Sequence, residues 1–184
     1  MSSPRRIQVA LLLGATLLVS ACTQARATDP VILARTVARD VYATPLAMID
    51  PALSVETEQF RLHRLPERIT VHIWQTPYEG RPSTLLLDVF VVSDENGFRG
   101  LSVSGPLAEG TPQATPTDAA TRRQTMLAAL LRSTGWKAVL NSTPYPKDPD
   151  KEIVFIETGA RGMGQQRATY DTKRGLLISV GMPF

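Results

Sequence analysis

The stretch RITVHIW, residues 68–74, decides the architecture. Ile69, Val71 and Ile73 alternate with Thr70, His72 and Trp74, a period of two that matches a strand and not a helix. Successive side chains of a strand face opposite ways, so this segment reads as apolar toward a core and mixed toward its other face. The next segment, TLLLDVFVV (84–92), is apolar on both faces, as a central strand is. Asp94-Glu95-Asn96-Gly97 then turns the chain into a third strand over 98–104, which predicts a hairpin.

Outward from this meander the period changes. Asp29-Pro30 reads as an N-cap followed by a first helical proline, and Leu33, Ala34, Val37, Ala38 and Val41 recur opposite Arg35, Arg39 and Asp40. A helix is predicted to about Tyr42, stopped by Thr44-Pro45 and Asp50-Pro51. Beyond a Pro/Gly/Thr-rich loop over 105–115, Thr115-Pro116-Thr117-Asp118 opens a second helix with an Ala119, Met126, Leu127, Leu130, Leu131 stripe, ended by Gly135. Strands follow over about 136–140, 152–157, 165–170 and 176–180, and the last two are joined by a 171–175 turn whose Gly175 suits positive φ. No internal repeat is visible. This order predicts an α+β domain built on an antiparallel β-sheet with two helices, the alternative being a β-sandwich with accessory helices.

The N-terminus has another character. Arg5-Arg6 precede an apolar run from 7 to 19 that is interrupted by Gln8, Gly14 and Thr16 and ends in Ser20-Ala21 before Cys22, the sole cysteine. A cationic start, a short apolar stretch and a small-residue cleavage site make a secretory signal. About 13 apolar-run residues fall short of the roughly 20 that a membrane-spanning helix needs. Val19-Ser20-Ala21-Cys22 resembles the lipobox of bacterial lipoproteins, with valine where leucine is commonest. The resemblance implies cleavage after Ala21, a diacylglyceryl thioether on Cys22 and acylation of the new amino group. More than one acyl chain gives a stable anchor where one gives a reversible one. Thr23, in place of Asp, implies export to the periplasmic side of the outer membrane, with inner-membrane retention as the alternative. The chain then divides into a cleaved signal (1–21), a lipidated tether (22–28) and a single domain (29–184). Residues 23–28 reach about 20 Å at most.

Removing 1–21 takes away two arginines and no acid, so the net charge of +3 falls to +1. No Lys/Arg block remains and aromatic content is 6%, which argues against nucleic acid. The mature chain has no thiol and forms no disulfide without Cys22.

Chemistry-bearing patterns are sparse. His63 and His72 lack a second histidine or carboxylate at metal-motif spacing. Residues 100–105, Gly-Leu-Ser-Val-Ser-Gly, miss the G-x-S-x-G spacing by one place. Asp148, Asp150 and Glu152 lack the pattern of a calcium loop and read as a solvated Pro/Asp turn, and the glycine run 159–164 lacks the Lys-Ser/Thr of a phosphate loop and reads as a hairpin connection. Asp88, polar within an apolar strand, is expected at solvent or paired, for instance with an arginine. Trp74, opposite the apolar face of its strand, is the candidate partner contact, unless the first helix covers it. No metal, cofactor or catalytic residue is assigned.

RITVHIW together with EGRPSTLLLDVFVVSDENGF, spanning 68–98, is similar to the TssJ lipoproteins of type VI secretion. That resemblance implies a β-sandwich that binds the periplasmic part of an inner-membrane partner. The usual Asn-Pro before the glycine is missing, a capped helix stands where the family continues with strands, and the C-terminal hairpin is extra. No binding residue is carried over. The expectation is a non-enzymatic, lipid-anchored envelope protein, held to the membrane through Cys22, that binds or scaffolds another envelope protein. A TssJ-like component and a periplasmic carrier of an apolar ligand are the alternatives.

Overall fold

The computed structural model describes residues 29–49, 55–63, 68–75, 84–94, 97–109, 116–159 and 164–181. The signal segment, Cys22, the tether, the 110–115 loop, residues 95–96 of the hairpin turn and residues 160–163 of the glycine run lie outside them. In chain order the elements are α1 (Pro30–Val37), a π-helical stretch (Ala38–Ala43), α2 (Thr44–Ile49), β1 (Val55–His63), β2 (Arg68–Gln75), β3 (Thr84–Asp94) and β4 (Gly97–Ser104). They continue with α3 (Pro106–Glu109), α4 (Pro116–Thr134), β5 (Ala138–Tyr145), β6 (Asp148–Glu157), β7 (Gln165–Asp171) and β8 (Leu176–Val180).

All eight strands form one antiparallel sheet, in the order β1-β2-β3-β4-β8-β7-β6-β5, and the helices pack on one of its faces. The predicted α+β fold on an antiparallel sheet is therefore observed. The sandwich alternative, and with it the sandwich implied by the TssJ resemblance, does not form, because the strands after α4 extend the first sheet instead of facing it.

The strand order reads the same from either end. Each half is a helix followed by a four-stranded meander, and the halves meet where β4 pairs β8 through Leu101↔Val180 and Ser102↔Ser179. The duplication is invisible in the sequence because the core requires apolar residues at matching positions, not identical ones. One buried row crosses six strands: Ile69, Val91, Leu101, Val180, Ala168 and Val154. Each half supplies three of them. The β4–β8 seam is short, and the helical layer bridges it. Tyr42, fully buried in the π-helical stretch, donates its hydroxyl to the Leu177 carbonyl of β8 at 2.6 Å. Phe98 of the first half meets Trp136 of the second edge to face, with centroids 5.2 Å apart.

The Asp29 cap forms as predicted, its carboxylate accepting from the Val31 amide at 2.8 Å with Pro30 at the first helical position. The predicted stop at Pro45 does not occur. The Thr44 amide bonds back to Arg39, five residues away, so the helix widens before the proline. Pro45 then falls in the first turn of α2, where no amide donor is required. Three further differences concern the sheet and its connections. β1 was not predicted, α3 occupies part of the predicted 105–115 loop, and β6 begins at Asp148, which moves the turn to residues 146–147.

Candidate functional site

The face of the sheet away from the helices carries the residues of interest. Among the described residues no helix lies on it. Its central row runs Thr70, Phe90, Ser102, Ser179, Thr169, Ile153 and Thr143 across seven strands. Small hydroxyl side chains occupy β4, β8 and β7, while Phe90 flanks them on β3 and Ile153 and Phe155 on β6.

Trp74 lies on this face and not under the first helix, which packs against the Ile69, Val71, Ile73 side of β2. The candidate contact is half-buried, and its indole Nε1 is enclosed with no hydrogen-bond partner. The hydroxyl of Thr70, four residues earlier on the same face, is also enclosed and unpartnered, in a residue only 4% exposed.

Between them sits a pair that the sequence did not show. Asp88 is partnered by His72 directly across the β2–β3 ladder, Nδ1 to Oδ1, and not by an arginine. Both are about four-fifths buried, with side chains 20% and 22% exposed. Asp88 also stands opposite Ser104 on β4. The cross-strand order His72, Asp88, Ser104 places the carboxylate in the middle. A serine nucleophile needs the imidazole next to it, so this juxtaposition is not a Ser-His-carboxylate relay. The Leu101–Gly105 segment itself is a regular strand ending and not a nucleophile elbow.

The acidic residues read as a possible oxygen cluster are each taken by a cation. Lys151 meets Asp148 at 2.8 Å, Lys173 meets Asp150 at 2.5 Å, and Arg123 of α4 clamps Glu152 through two 2.8 Å hydrogen bonds. The Lys151 ammonium holds the Asp148 carboxyl below its usual range, chiefly by hydrogen bonding. Among the described residues no group of three or more His, Cys, Asp or Glu is placed to hold a metal. β6 and β7 pair antiparallel, with the Thr158 amide on the Gly164 carbonyl at 3.2 Å, and residues 160–163 of the glycine run between them lie outside the described residues.

Two tyrosines anchor the helical layer beneath. Burial pushes the Tyr42 hydroxyl well above its ordinary value, and it pushes Tyr170, which donates to the Ala119 carbonyl at 2.5 Å, in the same direction. In the β7–β8 turn the buried Asp171 carboxylate accepts from the Arg174 amide at 2.8 Å and from its guanidinium at 2.5 Å, with Gly175 at φ +66 as the turn chemistry predicts.

The described residues define an α+β protein: helices over one face of a sheet of two meanders, with no described helix on the other face. No protein-family model, curated protein or solved structure matches the chain.

Proposed function

We propose that the protein is a non-enzymatic, lipid-anchored component of a bacterial cell envelope that binds another envelope protein through the open face of its sheet. The observation that carries the binding half of this reading is the one-sided cover. Trp74, Phe90, Ile153 and Phe155 stand half-buried on a face that no described helix protects. Antiparallel sheets that meet only water on one side usually alternate to polar residues there. Aromatic residues grouped on such a face are the usual anchors of a protein interface.

The anchoring half rests on the signal layout and on Val19-Ser20-Ala21-Cys22. Among the described residues no helix is long and apolar enough to cross a membrane. A tether of six residues leaves the Asp29 cap within about 20 Å of the lipidated cysteine, so the domain works close to its membrane. Thr23 after the lipidated cysteine favours the outer membrane, periplasmic side. The carrier reading is less favoured, since an apolar ligand needs an enclosed apolar cavity and the groove on this face is open and half polar.

The anchor is tested with Cys22→Ser. Metabolic labelling with palmitate is expected for the parent and not for the variant, which should keep its signal segment and run larger on a gel. Persistent labelling of the variant would overturn the assignment.

A further inference from the structure

Along β7 the open face deepens into a groove of about 660 Å³. Thr169 and Ser179, opposite each other across the β7–β8 ladder, form its floor, and Ile153 and the Tyr145 ring stand at its side. Lys147, from the β5–β6 turn, and Arg167, from β7, supply its charge, and among the described residues no carboxylate lines it.

Arg39, Arg99, Arg123, Lys137, Lys151, Lys173 and Arg174 each sit on a carboxylate. Lys147 and Arg167 have no such partner among the described residues; nor do Arg68, Arg132 and Arg122, the last of which bonds the Arg174 carbonyl instead. Arg167 instead lies over the Phe155 ring, its guanidinium carbon 5.7 Å from the centroid. Stacking on a ring fixes the guanidinium plane and leaves its N–H edges available for a bidentate acceptor. A cation pair without acids, beside an apolar wall, is complementary to an anion that carries apolar flanks.

Shape narrows the class. The groove follows a strand, is open along its length and is floored by hydroxyl groups that can meet backbone amides and carbonyls. An acyl chain would lose its apolar surroundings there, and a free phosphate would make no use of Ile153 and Tyr145.

We propose that this groove binds an extended acidic segment of a partner protein, with carboxylates on Arg167 and Lys147 and neighbouring apolar side chains against Ile153 and Tyr145. This rests on the reading of the protein as a binder of another envelope protein.

The test uses the full-length lipidated protein in uncharged detergent micelles and a short fluorescein-labelled peptide that alternates glutamate with valine. Anisotropy is expected to show saturable binding that is weakened about tenfold in a variant carrying Arg167→Ala and Lys147→Ala, since two charge-assisted contacts at about 0.7 kcal/mol each amount to that factor. A variant carrying Arg35→Ala and Arg39→Ala, on the helical side, should bind like the parent. Equal binding of the lysine-for-glutamate peptide, or undiminished binding by the groove variant, overturns the proposal. So does tighter, groove-dependent binding to phosphatidylglycerol vesicles, which would make the site one for lipid headgroups. Crosslinking in cells separates this outcome from the parent reading. If the groove variant still crosslinks to the same protein while the peptide fails to bind, the groove assignment falls and the partner-binding function stands. If the unmodified protein crosslinks to no protein, the function itself falls.

Discussion

Tyr42→Phe tests how the two halves are held together. The substitution keeps the ring and removes the hydroxyl that bridges the π-helical stretch to the Leu177 carbonyl of β8. A buried hydrogen bond contributes about 1 kcal/mol net, and leaving its acceptor unpaired raises the loss to roughly 2 kcal/mol. For a chain of this length that lowers the melting temperature by about 4–8 °C at neutral pH. The pH dependence supplies a sharper check. Burial raises the Tyr42 pKa far above its model-compound value of 10.0, so above that pH the unfolded chain releases a proton that the folded chain keeps. The unfolded state then binds fewer protons, and the stabilisation, fully present below pH 10, is lost as pH rises. Above pH 10 the parent therefore loses stability through this residue, a loss the phenylalanine variant does not share. The gap between the two proteins, about 2 kcal/mol at pH 8, should therefore shrink as pH is raised to 11. Urea titrations of both proteins at the two pH values measure it. A gap that is absent at pH 8, or unchanged at pH 11, would refute the placement of Tyr42 as a buried tie across the seam.

Three further outcomes follow from the same structure. Leu101→Ala, fully buried at the centre of the row shared by both halves, should cost about 2–5 kcal/mol in denaturant titration and lower one common transition, since both half-sheets lean on that position. Gly181→Ala combines a φ of +77 with a Cβ placed 2.3 Å from the Arg99 carbonyl oxygen, so thermal unfolding should show a loss of at least about 1–3 kcal/mol. Glu152→Gln breaks the bidentate clamp from Arg123, whose partners remain 20–26% exposed. Its cost should stay near 0.5–1 kcal/mol and shrink at high salt, whereas a larger, salt-insensitive loss would contradict a solvent-screened pair.

The fold was legible where hydrophobic period and local chemistry agree. The alternation of RITVHIW, the Asp29-Pro30 cap, the α4 stripe and the Gly175 turn all formed as read, because each is decided within a few residues. What escaped depends on partners distant in sequence. β1 is an edge strand in which Phe60 and Leu62, the residues opposite Val71 and Ile69, are among its few apolar positions, so period-two patterning barely registers. Pro45 is a stop signal that the π-helical widening absorbs. The duplication is one of topology and leaves no repeated residues to find. The site shows the same division. Trp74 was placed on the correct face by alternation alone. The pairing of His72 with Asp88 requires the β2–β3 register, and the approach of Lys147 and Arg167 to one groove requires the bend of the β5–β6 turn, neither of which a single sequence specifies.

The central claim is that the open sheet face, on a domain tethered through Cys22, is where a partner protein sits. Replacing Phe90 on that face, and separately Ala120 on the exposed side of α4, with the photocrosslinker benzoylphenylalanine in cells tests it most directly. Irradiation is expected to give a discrete protein adduct from position 90 that weakens when Cys22→Ser removes the anchor, and none from position 120. An adduct from position 120 with none from position 90 would contradict the account.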